Sequence, residues 1–361
     1  MLTIYAAITN HGFGHVTRTA AMLAELQRRS PQNIKLIMAT KAPKWLLAEY
    51  LEENFIYHPQ VFDVGVVQVD SLQTDREATY DKWQHIFAHQ ADLVSAEVKF
   101  LHEQQVDLIF GDIPPMVTAM AKAAKVPCWM AGNFGWDFIY RDWGGKFIDL
   151  ADQIAESYSH CDRLFRLPFS EAMHSFPLVQ DVGLTGASPH YESAYLREKF
   201  ALDHDRPTVL LTFGGLSLQS IPYHNLAKFP DWQFITFDRQ APDLPNLIQV
   251  NREASDCFRP VDLMVVCDRL ITKPGYGTLA EALKVGIPVI CLTRDGFLEA
   301  EILIDGVKNY THHQIISPEE FYQSDWDFLN LPLHPPQLEQ KLDVNGNSTI
   351  NQAICDYFHI P

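Results

Sequence analysis

The sequence predicts an α/β protein of two Rossmann-like domains, each a doubly wound parallel sheet. Three observations carry that expectation. Residues 2–9 (LTIYAAIT) and 208–213 (TVLLTF) are apolar runs that each break directly into a glycine loop. After each loop the order helix, strand, helix, strand recurs, as in βαβ units. A Pro-, Gly- and Ser-rich stretch, residues 168–188, parts the two series and places a linker around 183–195. The expected domains are 1–185 and 190–342, with a final helix in 343–361 returning to the first. A chain of 361 residues fits two domains at about 100–200 residues each.

In the first domain, residues 2–9 form a strand, 10–15 (NHGFGH) a loop, 16–29 a helix and 35–40 a strand. The loop G-x-G-H-x-x-R is not the dinucleotide fingerprint G-x-G-x-x-G. His15 follows its glycines on a strand-to-helix turn, and imidazole suits proton removal near neutral pH. His11 stands earlier in the loop. Arg18 is a candidate for acceptor or donor phosphate, or a surface charge. Residues 64–69 read as a strand, 79–104 as a long helix and 106–110 as a strand that ends at Asp112. Asp112 precedes Pro114-Pro115 and also reads as a helix N-cap. The strand 126–131 leads into Asn133-Phe134-Gly135-Trp136-Asp137-Phe138-Ile139-Tyr140. There Trp136, Asp137 and Tyr140 suit the face and hydroxyls of a sugar, or else form an aromatic core plug. A helix over 148–160 and a strand over 163–166 follow.

In the second domain, strands are expected at 208–213, 232–237 and 247–250, and across 262–267 and 270–271. The last feeds the loop Lys273-Pro274-Gly275-Tyr276-Gly277 and a helix over 278–285 that Gly286 and Pro288 end. Gly275 and Gly277 let backbone approach a ligand closely, and the following helix start suits a phosphate. Lys273 adds a cation and Thr278 a hydroxyl. Glu281 is placed to accept from ribose hydroxyls, although Thr278-x-x-Glu281 also has the form of a capping box. After the strand 287–292, Asp295 and Glu299 stand in the turn Thr293-Arg294-Asp295-Gly296 and the helix start beyond it. They are candidates for sugar hydroxyls or simple N-terminal helix charges. Residues 348–358 read as a Ser348-capped helix with Ile350, Ala353, Ile354, Tyr357 and Phe358 on one face.

The run G-x-G-T-x-x-E-A-L-x-x-G-x-P-x-I (275–290) resembles the nucleotide-sugar region of GT-B glycosyltransferases. Its Lys-Pro-Gly form is similar to that of galactolipid synthases and bacterial glucosyldiacylglycerol synthases. Residues 271–278, 293–299, 11–18 and 133–140 together resemble the glycosyltransferase-like N-terminal domain of plant-type L-arabinokinases. Gly214-Gly215-Leu216-Ser217 resembles the donor-diphosphate loop of peptidoglycan N-acetylglucosaminyltransferases. The resemblance implies two domains facing across a cleft and a metal-independent inverting transfer from a nucleotide sugar, of UDP type, to a hydroxyl acceptor. It implies His15 as general base, with Asp112 orienting the imidazole and stabilising its charged form. It implies Gly14, Gly215, Ser217, Lys273, Gly275, Gly277, Thr278, Glu281, Asp295 and Glu299 around the donor. Arg18, Trp136, Asp137 and Tyr140 would meet the acceptor. Two other readings fit the same residues: a nucleotide-sugar-binding regulatory protein, and a sugar-nucleotide epimerase.

Several classes fit poorly. The formal net charge of −17 disfavours nucleic acid and anionic membrane surfaces. No run approaches the roughly 18 apolar residues of a membrane span. The start MLTIYAAITNHG has no basic leader and reads as a first strand. Six cysteines without C-x-x-C spacing fit reduced core residues of a cytoplasmic protein. Asp203-His204-Asp205 and Asp325-Trp326-Asp327 do not follow apolar strands, and His312-His313 lacks companion ligands, so no metal and no cofactor is expected. The glycine-serine-rich ATP loop of the kinase domain in arabinokinases is absent from these 361 residues, so they are not expected to form an arabinokinase.

Overall fold

A computed structural model describes residues 1–9, 11–51, 54–68, 74–214, 218, 220–250 and 258–360. The chain forms two compact units. The first comprises Met1–Val69, Thr74–Gly186 and Asp343–Pro361, and the second holds Ala187–Leu342.

The first unit opens with β1 (Leu2–Ile8), α1 (Gly12–Arg29), β2 (Ile34–Ala39), α2 (Lys44–Leu51) and β3 (Ile56–His58). The short antiparallel pair β4 (Val67–Gln68) and β5 (Thr74–Asp75) comes next. Then follow α3 (Arg76–Glu103), β6 (Leu108–Asp112), α4 (Val117–Ala124), β7 (Cys128–Gly132), α5 (Trp136–Trp143), α6 (Phe147–Tyr158), β8 (Arg163–Arg166) and β9 (Val179–Asp181). Among the described residues, the main sheet has the order β3-β2-β1-β6-β7-β8-β9. Every pairing in it is parallel. All residues of β1 and β6 are buried, as expected for central strands with helices on both faces. The carboxyl ends of β1, β6 and β7 therefore lie side by side, and the candidate residues of this unit stand there.

The second unit contains α7 (Ser193–Lys199), β10 (Thr208–Leu211), β11 (Gln233–Thr236), β12 (Leu247–Gln249) and α8 (Pro260–Met264). It continues with β13 (Arg269–Thr272), α9 (Tyr276–Val285), β14 (Val289–Leu292), α10 (Leu298–Tyr310), β15 (His313–Ile316) and α11 (Pro318–Gln323). Its sheet runs β12-β11-β10-β13-β14-β15, again parallel throughout. One core cluster gathers Val209, Leu211, Ile271, Ile290 and Leu292 from the strands with Phe321, Trp326 and Leu329.

The last helix, α12 (Gly346–Phe358), packs on α1. Ile350, Asn351 and Ile354 are fully buried there, and Asn351 Nδ2 donates to the Met22 carbonyl at 3.1 Å. Two glycines make the entry possible. A side chain at Gly346 would meet the Gly183 carbonyl oxygen at 2.1 Å, and one at Gly183 would meet the Asp343 carbonyl at 2.6 Å.

Several expectations need correction. The apolar run 262–267 is not a strand. Pro260 sits in the first turn of α8, and the Asp262 carboxylate accepts from the Arg259 backbone N–H at 2.9 Å and from its guanidinium at 2.8–2.9 Å. The helix after the second glycine loop starts at Tyr276 with Gly275 as N-cap, and no side chain caps it. Thr278 and Glu281 thus form no capping box. Ser348 does not cap α12; Asn345 holds the N-cap position, and the Ser348 hydroxyl donates to Glu25 of α1 at 2.8 Å. Tyr357 is exposed on α12, although its ring meets Trp129 edge-on at 5.1 Å. The strand expected at 64–69 reduces to Val67–Gln68, and Val69 lies outside the described residues. In the Pro- and Gly-rich stretch, Val179–Asp181 adds an edge strand because its backbone pairs with β8.

Candidate functional site

Five side chains converge at the carboxyl ends of β1, β6 and β7: His15, Arg18, Thr19, Asp112 and Asn133. Helix α1 begins at Gly12, so His15 and Arg18 stand one turn apart on its buried side, beside Thr19. His15 Nδ1 lies 2.7 Å from Asp112 Oδ1. A carboxylate oxygen only accepts, so Nδ1 carries the proton and Nε2 keeps its lone pair. Arg18 donates to both oxygens of Asp112, from Nη2 at 2.6 Å and from Nε at 2.8 Å. Its Nη1 donates to Asn133 Oδ1 at 2.8 Å, and the Thr19 hydroxyl donates to Asp112 Oδ2 at 2.7 Å. Arg18 Nη2 also approaches His15 Nδ1 at 2.9 Å. With protons on both nitrogens this is a close contact and not a hydrogen bond.

Asp112 is buried. Burial pushes its carboxyl up, but the charges and hydrogen bonds of Arg18 and His15 more than reverse that and hold it well below the usual carboxylate range. The carboxylate is therefore ionised, but a guanidinium already faces it. Arg18 is neither a surface charge nor open to a ligand, because its fork is taken by Asp112 and Asn133. Nothing in the sequence marks Asn133 or Thr19 for this role. A buried arginine needs acceptors on several sides, and only the fold shows which residues supply them.

The imidazole is also boxed by rings. His11 stands 6.1 Å and Phe134 5.8 Å from it, both edge-on, and His11 meets Trp136 at 5.3 Å. Trp136 and Tyr140 are fully buried, which corrects their reading as a sugar-stacking face. Trp136 Nε1 donates to Asp63 at 3.0 Å, Trp83 Nε1 donates to the Tyr140 hydroxyl at 2.7 Å, and that hydroxyl donates to the Gly65 carbonyl. These rings form the core plug beneath the loop. Asp137 is also largely buried; it accepts from Ser175 Oγ at 2.5 Å, and burial raises its carboxyl. Gly14 is exposed, and its carbonyl accepts from Thr17 Oγ1 at 3.2 Å.

In the second unit, β10 and β13 are adjacent, so their two glycine loops start side by side. Gly214 has φ +79°, and a side chain built there would stand 3.6 Å from Lys273 Cε. Lys273 thus passes over the start of the first loop. Gly215 and Ser217 lie outside the described residues. Gly275 and Gly277 flank the start of α9, and Thr278 is half-buried in its first turn. Glu281 is buried and accepts from the Ala187 N–H at 3.1 Å. Burial raises its carboxyl to about 7, against the lowering pull of that hydrogen bond and of Arg259 and Lys284. Asp295 is exposed in the turn after β14, and Glu299 is buried in the first turn of α10. Arg294, buried beside them, stacks on Phe297 at 4.3 Å. Among the described residues no group of three or more His, Cys, Asp or Glu is placed to hold a metal ion. No helix of the described residues is long and apolar enough to cross a membrane.

No family model matches the chain. Over 316 residues it is 30% identical to L-arabinokinase of Arabidopsis thaliana, a match covering 84% of this chain and 29% of that protein. The chain thus spans under a third of the length of this curated relative. Solved structures similar in fold include CalG4, the calicheamicin glycosyltransferase, at TM-score 0.61 and 14% identity, covering 99% of this chain and 98% of that one. UGT89C1 of Arabidopsis thaliana, complexed with UDP, matches at TM-score 0.57 and 13% identity over 91% of this chain and 88% of that one. A putative UDP-N-acetylglucosamine 2-epimerase of Listeria monocytogenes matches at 0.57 and 12%, over 100% and 97%. The two parallel-sheet units are those of the GT-B glycosyltransferase fold.

Proposed function

We propose that the chain is an inverting, metal-independent glycosyltransferase that moves a sugar from a UDP-type donor to a hydroxyl acceptor. The observation that carries this reading is the 2.7 Å contact between His15 Nδ1 and Asp112 Oδ1 at the carboxyl ends of adjacent strands. Asp112 fixes the tautomer, and Nε2 of His15 then takes the acceptor proton as the hydroxyl oxygen attacks the anomeric carbon. The nucleoside diphosphate leaves. Lys273, the Gly275–Gly277 backbone and the start of α9 hold its charge, with Thr278 beside them, in the role that Mg²⁺ has elsewhere. Asp295 and Glu299 take donor-sugar hydroxyls. A ribose contact by Glu281 has to compete with the Ala187 hydrogen bond.

An epimerase on the same fold is the second reading, supported by the fold likeness to the Listeria protein. A binding protein without turnover is the third, in line with a match to only part of an arabinokinase. Calorimetry in EDTA with UDP, then product NMR on a panel of UDP-sugars, separates them. UDP binding in EDTA and transfer of the sugar support the transferase. A new sugar isomer identifies an epimerase, and unchanged sugar with tight binding identifies a sensor. UDP binding that requires added divalent metal removes the metal-independent mechanism.

A further inference from the structure

We propose that a cavity at the carboxyl ends of β8 and β9 is a binding site for a ligand carrying a primary ammonium group. Its volume of about 520 Å³ is within the usual span for small-molecule sites. Arg166 and Leu167 line it from the end of β8, Asp181 and Val182 from the end of β9, and Ser170 and Glu171 from the chain between them. Ligands of open parallel sheets sit at this edge. The strand order puts β8 two places from β6, which sets the cavity roughly 10 Å along the edge from Asp112. It is a separate place from the His15 cluster.

The segment that supplies Ser170 and Glu171 is strained. Phe169 and Met173, on either side of residues 170–172, have φ +57° and +58°, in the left-handed region that non-glycine residues rarely adopt. Such strain persists where the surroundings fix it, and it gathers at ligand sites. Here the Glu171 carboxylate fixes it. Oε1 accepts from the Gly135 N–H at 3.2 Å and Oε2 from the Met173 N–H at 2.6 Å. The Glu171 N–H donates to the Asn133 carbonyl at 3.1 Å.

The lining sets the class of ligand. All three nitrogens of the Arg166 guanidinium are in use. Nε and Nη2 donate to Asp181 at 2.6 and 3.0 Å, and Nη1 donates to the Ala172 carbonyl at 3.2 Å. Arg166 and Asp181 cancel in charge. Glu171, half-buried, adds a negative charge and keeps lone pairs beyond the two that its backbone donors occupy. Asp137 is 8% exposed, and its Oδ1 is buried without a hydrogen-bond partner. The two carboxylates act on each other: burial raises the Glu171 carboxyl, the Met173 N–H pulls it back, and the Asp137 charge raises it again. Arg141 and His174 also act on this pair. Arg141, however, is paired with Asp152 at 2.7 Å, and His174 is a cation only when protonated. A ligand held here must bring hydrogen-bond donors and positive charge. An ammonium brings both, while Leu167 and Val182 offer apolar contact to its carbon frame.

The test is titration of the chain with glucosamine, glucose and N-acetylglucosamine at neutral pH, with the amide shifts of Ser170, Ala172 and Val182 read by NMR. The probes differ at one carbon, which carries an ammonium, a hydroxyl or a neutral amide. Glucosamine should bind at least about 5-fold more tightly than the other two, the scale of one partly exposed charge pair. High salt should shrink that preference. Glu171→Gln should abolish it. Because Glu171 also fastens its own segment, Ala172→Trp is the second variant. Ala172 is exposed on the cavity lining, so the indole should fill the cavity without disturbing the core and remove the glucosamine shifts. Glucose or N-acetylglucosamine binding as tightly as glucosamine overturns the proposal. So does a folded Glu171→Gln chain that keeps the preference, an Ala172→Trp chain with unchanged shifts, or a wild-type chain in which no probe moves these amides. No sugar donor or turnover enters the measurement, so its outcome is separate from that of the transferase reading.

Discussion

Asp112 is shared by His15, Arg18 and Thr19, and the two roles this gives it can be separated by substitution. His15→Ala should leave UDP affinity nearly unchanged, since the diphosphate contacts proposed above, Lys273 and the start of α9, belong to the second unit. If His15 is the proposed general base, the change should lower kcat by about 10²–10⁴. Wild-type turnover in a folded His15→Ala protein would remove His15 from the mechanism. Asp112→Asn removes the charge facing a buried guanidinium, and should cost about 3–5 kcal/mol of stability in urea unfolding. Glu281 makes a pH-dependent contribution. Its carboxyl titrates near 4.5 when unfolded and is raised to about 7 in the fold, so the folded state holds the proton longer. The stability this provides is fully present below about pH 4.5 and is lost as pH rises through 7. Glu281→Gln keeps a carbonyl acceptor for Ala187 and has no charge to bury. Its stability relative to wild type should rise between pH 5 and 8, by up to about 3 kcal/mol, as followed by denaturant midpoints across that range.

Two glycines show what an element's end requires. Gly286 closes α9 in the left-handed region, at φ +83°, with open space around it. Gly286→Ala should therefore cost only the backbone strain, about 1 kcal/mol. Gly65 has φ +59° too, but a side chain there would meet His11 Cβ at 2.7 Å. His11 is the N-cap residue of α1, and the Gly65 carbonyl holds Tyr140. Gly65→Ala should thus add overlap to strain and cost more than Gly286→Ala, by about 1–3 kcal/mol, in the same unfolding assay. The glycines and Pro288 that bound α9 are plain in the sequence because each acts within a few residues. The start of α8 is not legible in the same way. Val261, Leu263 and Met264 look like any short buried run, and apolar runs of that length do not separate strand from helix.

At the scale of the molecule, the final helix belongs to the first unit although the second unit precedes it in the chain. Ending the chain at Leu342 removes Ile350 and Ile354 from the α1 face, each worth about 1.5–3 kcal/mol of burial. It also removes the bonds of Asn347 to Gly186 at 2.9 Å and of Asn351 to Met22. Calorimetry of the truncated chain should show the transition of the first unit lowered or lost and that of the second little moved. A first unit that melts as in the full chain would show that α12 contributes no such packing.

The α/β class, the order of most strands, the glycine turns into α1 and α9, and the places of His15 and Asp112 beside strand ends are legible in the sequence alone. These depend on local patterns: a buried parallel strand is a short apolar run, and a loop that must turn sharply into a helix needs glycine. The tertiary structure alone decided which polar groups meet. Arg18 was open to three readings until Asp112 and Asn133, 94 and 115 positions away, took its donors. Trp136 and Tyr140 stand in a stretch that suits a sugar face equally well; Asp63, Trp83 and Gly65, from other segments, make them core. The edge strand Val179–Asp181 exists because β8 offers it a partner. Burial and pairing depend on residues far apart in the chain, and a local pattern carries no record of them.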